Sequence, residues 1–369
     1  MQRGERFFPL LAVHEKYIQL KNSGKTLRIL YGIQGTGNGH ITRARTMSRA
    51  FSETELEVDY LVSGRSPDKL FDMEPFGDFC CLRGMTMIQN RGKVNYFKTA
   101  FTNNPLVFRK EIKALDLSAY DLVISDFEPV SAWAAKKANK KTLGLSHQYS
   151  FKYPIPMAGK NIASNLVMKY FAPTNVSLGV HWHHFNQPIL PPLIEPPSYP
   201  VEHNEGRVLV YLPFEEQKQV VEWLNRIDGQ EFIYYCPLKE KIEHGNVTLY
   251  PLSRDGFQKD LASCGGVICN AGFGLMSEAI QAGKKLLIKP VAGQMEQLSN
   301  AAAAKQLSLA EVLEEGFREE ISASLRSWFD QPNREPKPYP DVAKGIVQWI
   351  QEGMRLSERE LSQSLWSQY

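Results

Sequence analysis

The sequence predicts an α/β protein of two facing domains, each a mostly parallel sheet with helices on its faces. Three observations carry that prediction. Short apolar runs fit for buried strands alternate with helical patterns along most of the chain. A glycine-rich turn sits between strand and helix once in each half, at residues 34–40 and 270–274. Between the halves, Pro188, Pro191, Pro192, Pro196, Pro197 and Pro200 can only form an extended, semi-rigid linker. A length of 369 residues suffices for two buried cores. The expected boundaries are a leader over 1–26, a first domain over 27–187, the linker over 188–204, a second domain over 205–352 and a final helix over 353–369.

Residues 1–26 scatter Arg3, Glu5, Arg6, His14, Glu15 and Lys16 among apolar positions, so no continuous apolar core for secretion exists there. They read as an added or poorly ordered leader. Leu27–Ile33 is an apolar strand, and the loop Gln34-Gly35-Thr36-Gly37-Asn38-Gly39-His40 opens a helix to about Phe51. Its spacing is G-x-G-x-G, not G-x-G-x-x-G, and Asp59 lies inside the next strand, Glu57–Val62, so NAD is a poor fit. Tyr120–Ser125 is a third strand; it ends in Asp126-Phe127-Glu128-Pro129 before an alanine-rich helix. Asp126 thus shares a sheet edge with His40, either as its partner or as the helix N-cap. Strand Lys141–Leu145 brings His147 and Gln148 to the same rim. His181 and His183 would share a strand face, but no carboxylate or cysteine at ligand spacing accompanies them, and no metal is expected.

The second half runs strand Arg207–Leu212, helix Glu215–Ile227, strands Phe232–Cys236 and Val247–Tyr250, and then the most informative stretch, Cys264–Ala304. Gly265–Cys269 is a buried strand broken by Asn270-Ala271-Gly272-Phe273-Gly274 just before a helix. The N–H groups at such a helix start lack intrahelical partners and the helix dipole favours negative charge, so a phosphate is the natural guest. Ser277 and Glu278 follow one turn on, where a carboxylate accepts hydrogen bonds from a diol. After strand Lys285–Ile288 come Gln294, Glu296 and Gln297, on the rim where open α/β sheets bind ligands. A nucleotide sugar would use the set: diphosphate on the turn, ribose on Glu278, sugar hydroxyls on the Gln/Glu group. Arg254 and Asp255 line that pocket or form a surface turn, and Asp341–Tyr369 is an amphipathic helical tail.

This segment resembles the donor signature of nucleotide-sugar glycosyltransferases with two facing Rossmann-like domains and a cleft between them, the GT-B fold. Its relatives include the inverting UDP-glycosyltransferases and the peptidoglycan N-acetylglucosaminyl transferase. There a glycine turn is followed by Ser-Glu, then Gly-x-Pro, then a strand ending in Pro, then Asp-Gln-x-x-Asn-Ala; here Ser277-Glu278 and Glu296-Gln297-Leu298-Ser299-Asn300-Ala301 stand in the first and last of those places, with Glu for Asp. Asn270 replaces a frequent phosphate-binding His, and Lys284 stands near the usual Pro. The resemblance implies transfer of a sugar from a UDP-linked donor to an acceptor hydroxyl with inversion. Donor contacts would be Asn270, Ala271, Gly272, Phe273, Gly274, Ser277, Glu278, Gln294, Glu296 and Gln297. The loop Gly35, Thr36, Gly37, Asn38 and Gly39, with Glu128, His147 and Gln148, would serve the acceptor or a phosphate.

By the same resemblance His40 takes the acceptor proton, a task suited to imidazole, or else caps its helix or contacts a phosphate. Asp126 holds it, with Glu128 as the alternative partner or an acceptor-site group. The final helix would return to the first domain. No cofactor or metal is implied, the nucleotide sugar being a substrate. Arg83–Lys113 interleaves seven Lys and Arg with Met85, Met87, Phe97, Phe101 and Phe108. It is either a solvated face or the surface by which relatives acting on lipid-linked acceptors dock on anionic membranes.

A net charge of +3 argues against a dedicated nucleic-acid binder. Five cysteines without a CxxC pair fit reduced thiols and a cytoplasmic site, peripheral on the inner membrane face if the basic surface docks. The uncharged stretch Pro173–Ile194 carries four prolines and cannot span a membrane. Two rivals share the expected architecture: a non-hydrolysing UDP-sugar epimerase and a non-catalytic nucleotide-sugar sensor, the latter indifferent to loss of His40.

Overall fold

A computed structural model describes residues 26–86, 89–90, 93–94, 103–314, 316–317 and 323–369. The expectation for the leader therefore lies outside the described residues, apart from Thr26, as does much of Arg83–Lys113. The first domain holds strands β1 (Arg28–Gln34), β2 (Glu57–Ser63), β3 (Cys80–Leu82), a small hairpin β4 (Gln89–Asn90) and β5 (Lys93–Val94), then β6 (Leu122–Asp126), β7 (Thr142–Ser146), β8 (Val176–Val180) and β9 (Ile189–Leu190). Its helices are α1 (Asn38–Ser52), α2 (Pro105–Ala114), α3 (Pro129–Lys137) and α4 (Ile162–Tyr170). The second holds β10 (Asn204–Tyr211), β11 (Glu231–Tyr235), β12 (Ile242–His244), β13 (Val247–Tyr250), β14 (Cys264–Asn270), β15 (Lys285–Lys289) and β16 (Glu311–Val312). Helices α5 (Gln217–Leu224), α6 (Arg254–Ser263), α7 (Phe273–Gln281), α8 (Met295–Gln306) and α9 (Ala323–Asp330) surround it, and α10 (Val342–Gln351) and α11 (Glu358–Trp366) end the chain.

Each sheet has seven strands, in the orders β3-β2-β1-β6-β7-β8-β9 and β12-β13-β11-β10-β14-β15-β16. Every pairing in them is parallel except β12 with β13. Parallel strands need crossover helices on both faces, which explains why the strand sequences are nearly all apolar instead of alternating. In β1, Ile29, Tyr31 and Ile33 enter one hydrophobic cluster while Leu30, on the other face, packs with Leu117, Val123 and Ala135.

The largest cluster runs through both domains, joining Ile29 and Leu145 to Val267, Met276 and the tail residues Ile346 and Ile350. Two tail helices return to the first domain. Helix α10 packs on α1, and α11 is tied to the end of the first sheet, where Ser362 Oγ and Trp366 Nε1 each donate to Ile189 O over 2.7 Å. Helix α5 is shorter than its sequence pattern suggests because Glu215 stays outside it, its carboxylate bonded to Asn270 Nδ2 (3.0 Å) and Lys289 Nζ (2.7 Å).

Candidate active site at the domain seam

In each sheet the strand order reverses once, between β1 and β6 and between β10 and β14. At such a switch point the following segments diverge to opposite sides and leave a crevice at the strand ends. Ile33 is registered beside Asp126, so the loop leaving β1 and the carboxylate ending β6 are neighbours by topology. Gly35 makes the turn. Its N–H donates to Ser63 O (2.6 Å), and a Cβ there would stand 2.9 Å from that same oxygen. Gln34 Nε2 fixes Thr36 Oγ1 (2.7 Å) and Arg65 Nη1 fixes Asn38 Oδ1 (2.8 Å).

Helix α1 then presents His40 in its first turn, with Nδ1 2.7 Å from Asp126 Oδ1. Phe127, the next residue, turns at φ 52°, a left-handed conformation uncommon for a bulky side chain, and so ends β6 abruptly with Asp126 aimed at α1. Arg43, one turn along α1, grips the same carboxylate at two points, Nε to Oδ2 (2.8 Å) and Nη2 to Oδ1 (2.5 Å). Burial works against a charge on Asp126, but Arg43 and His40 outweigh it and hold the carboxyl below the usual carboxylate range. A carboxylate only accepts, so in this shorter contact Nδ1 carries the imidazole proton and Nε2 faces the seam with its lone pair, while Arg43 Nη2, itself only a donor, lies 2.9 Å from Nδ1 without bonding it. The hydroxyl of Ser146 donates to Gln148 Oε1. That leaves Gln148 Nε2 3.5 Å from His40 Nε2 and donating to Glu296 Oε2 of the second domain (3.0 Å).

The two glycine turns meet. Helices α1 and α7 begin at Gly37 and Gly272, neither with a side-chain cap nor an acidic residue in its first turn. A Cβ on Gly274 would lie 3.8 Å from Gly39 Cα, so two helix starts with free N–H groups converge on one spot. Gly272 and Gly293 have nothing within 4 Å of such a position.

Several expected site residues have other work. Glu128, not Asp126, caps α3, accepting from Val130 N (2.8 Å) and Ser131 N (2.6 Å) and from Ser63 Oγ (2.6 Å). It is fully buried, which pushes its carboxyl up despite those bonds. His147 is buried with both ring nitrogens engaged, 2.8 Å from Val180 O and 2.7 Å from Asn300 Oδ1, and its ring stacks on Phe273 at 3.9 Å between centroids. Burial lowers its pKa. Ser277 is buried between Phe273 O and the Trp182 indole, which donates to it over 2.8 Å. His147 and Ser277 therefore join the domains, while Glu128 holds α3 within the first.

Gln297 is buried and its Oε1 accepts from Val291 N (2.9 Å), holding the loop before α8. Asn270 donates to Glu215 and to Lys289 O, while its own Oδ1 is buried without a partner. The Oε1 of Gln294 is likewise buried and unpartnered. Glu278 is half-buried and accepts from Gln258 Nε2 (2.9 Å); burial raises its pKa, with Glu195 adding to the rise and Arg254 opposing it. Strand β8 stops at Val180, so His181 and His183 do not share the expected strand face; His181 is buried and its Nδ1 accepts from Trp182 N. Among the described residues no group of three or more His, Cys, Asp or Glu can hold a metal ion.

Sequence reasoning missed Arg43, Ser146, Trp182 and Glu195. Only Arg43 carried a signal, its i+3 spacing from His40 on one helix face. Glu195, in the proline linker, is gripped by Arg49 of the first domain (3.2 Å) and Arg254 of the second (2.6 Å).

Two facing Rossmann-like domains with a polar seam at their switch points define a GT-B protein. The chain matches the family model described as Glycosyl transferase family 1 over residues 27–320, and it belongs to that family. No curated protein matches it. Among solved structures it is similar to the glycosyltransferase SnogD from Streptomyces nogalater, with 15% identity over 93% of this chain and 99% of that one and a TM-score of 0.50. The spinosyn forosaminyltransferase SpnP covers 93% of this chain over 99% of its own, at 11% identity and TM-score 0.55. Arabidopsis thaliana UGT89C1, solved with UDP-L-rhamnose, gives 13% identity, 92% and 93% coverage and TM-score 0.55. At such identities these likenesses establish the fold.

Proposed function

We propose that the chain transfers a sugar from a UDP-linked donor to an acceptor hydroxyl with inversion, in one displacement. The observation that carries this reading is the convergence of two uncapped helix starts beside a His40–Asp126 pair whose Nε2 faces the seam next to the Gln148 amide. The diphosphate sits where the starts of α7 and α1 meet, its charge offset by their N–H groups and dipoles, which does the work a metal would otherwise do. Glu278 takes the ribose once Gln258 yields, and Glu296 with Gln294 takes sugar hydroxyls. The acceptor hydroxyl displaces the Gln148 amide at His40 Nε2, gives up its proton there and attacks the anomeric carbon as the diphosphate leaves. Asp126 orients the ring and stabilises the imidazolium that forms.

We place the acceptor on a lipid or cell-envelope component, with the protein peripheral on the inner face of a membrane. No helix among the described residues is long and apolar enough to cross one. Helix α4 supports docking: Ile162, Leu166 and Tyr170, at i, i+4 and i+8, are exposed, while its opposite face, with Val167, Met168 and Phe171, packs inward. Residues 129–194 contain seven lysines and no acid.

The test of the donor is thermal unfolding of the full chain with UDP, UDP-sugars, other nucleotides and NAD. A rise in midpoint with UDP or its sugars supports the reading, because a ligand of the folded state must stabilise it. A rise with NAD alone overturns it.

A further inference from the structure

Arg43 lies outside every role described so far for a nucleotide, a sugar or an acceptor. It is buried, and it spends two of its donors on one carboxylate. Its Nη2 also stands 2.9 Å from His40 Nδ1 and 3.5 Å from Ser146 Oγ. One guanidinium therefore touches all three groups that determine the state of the imidazole: the carboxylate beneath it, the ring itself, and the serine that orients Gln148 against its other nitrogen.

A base must be unprotonated when the acceptor arrives. A buried carboxylate alone against an imidazole works against that, since an opposite charge in contact favours the protonated ring. The charged and titratable groups that face His40 are Asp126 from the end of β6, Arg43 from its own helix and, through Gln148, Glu296 from α8. Asp126 and Glu296 are acids, and Arg43 is the cation that offsets them. A bidentate fork does this with the geometry fixed, which an ammonium cannot do.

We propose that Arg43 is a positioning residue that holds Asp126 by a two-point grip and offsets its charge, keeping the His40 ring neutral and correctly turned to accept a proton. This rests on His40 acting as the base, but its test does not. The experiment follows the eight histidines of the ligand-free full chain by NMR against pH with isotope-labelled rings, the His40→Ala variant identifying the His40 signal.

In Arg43→Gln the His40 signal should titrate at a pH higher by about one unit or more than in the parent, the usual effect of an uncompensated carboxylate neighbour. Arg43→Lys keeps the charge and loses the fork. Its His40 signal should titrate near the parent's, while turnover of UDP-glucose or whichever UDP-sugar stabilises the chain falls. Asp126→Asn should move the titration the other way, to lower pH. An unmoved His40 signal in a folded Arg43→Gln protein overturns the proposal. So does an upward move in Arg43→Lys equal to that in Arg43→Gln, an outcome that remains readable if the glutamine variant does not fold. Full transfer by His40→Ala would remove the base reading and leave the titration result standing on its own.

Discussion

His40 stands between a buried acid and a cation of its own helix, and on the proposed reading the proton transfer depends on that pairing. Replacing His40 by Ala should leave UDP binding nearly intact, by calorimetry, while transfer falls by about 10²–10⁴-fold, the usual contribution of a general base. Lost UDP binding would instead assign the ring to the phosphates. Asp126 carries a stability consequence as well. Its carboxyl is held below its ordinary value in the fold, so its stabilising contribution is complete above about pH 4, the unfolded value, and is lost as pH falls through the folded one. Asp126→Ala should cost about 3–5 kcal/mol in urea unfolding at neutral pH, because Arg43 is then buried without its counter-charge. A loss below about 1 kcal/mol would mean that water reaches Arg43. That Asp126 shares a sheet edge with His40 was legible from the strand ends, while its pairing with the ring came from the family resemblance. Its competitor Glu128 was not separable by sequence, because both acids precede the same helix and only the left-handed turn at Phe127 decides which one caps it.

At the scale of elements, the strands expected from the sequence match β1, β2, β6, β7, β10, β11, β13, β14 and β15 to within three residues, since parallel strands buried on both faces leave apolar runs, whereas the short or peripheral β3, β8, β9, β12 and β16 and helix α4 were not read. What the sequence concealed was which face of an element is occupied. Ser277 and Phe273 fall within a donor-type motif, yet they pack on Trp182 and His147 across the seam, a pairing of residues some 95 positions apart that no local pattern announces. Helix α4 shows the converse, with Ile162, Leu166 and Tyr170 on a face that no described residue covers. If that face meets lipid, the chain should co-sediment with phosphatidylcholine vesicles only when phosphatidylserine is present. Ile162→Ser with Leu166→Ser should abolish binding without changing thermal stability, because both side chains are already in water. Equal binding by parent and double variant would exclude α4 as the contact. Salt should weaken the interaction, each lysine near the surface adding about 1 kcal/mol at low ionic strength.

The whole molecule behaves as one unit if the seam is as continuous as its contacts suggest. Phe273 from the second domain packs on both His147 and Trp182 of the first, with centroids at 3.9 and 5.1 Å, and those two rings stand 6.5 Å from each other. Hydrogen bonds at 2.7 Å from His147 to Asn300 and at 2.8 Å from Trp182 to Ser277 flank that stack. The largest hydrophobic cluster is shared by both domains, so opening one exposes core of the other, even though smaller clusters lie within single domains. Calorimetry should therefore record a single cooperative transition. Phe273→Ala, which removes the centre of the stack, should cost about 3–5 kcal/mol and split that transition in two. Acid should act on the same seam. Burial lowers the pKa of both His147 and His181 in the fold, so below about pH 6.5 the unfolded chain takes up protons that the folded one refuses, and stability declines as pH falls through that window. Phe273→Ala loosens the cover over His147, so its acid-side decline should be shallower than the parent's. Parallel declines in the two proteins, with one transition in each, would show that the domains are held together at α10 and the linker clasp of Glu195 rather than at the aromatic stack.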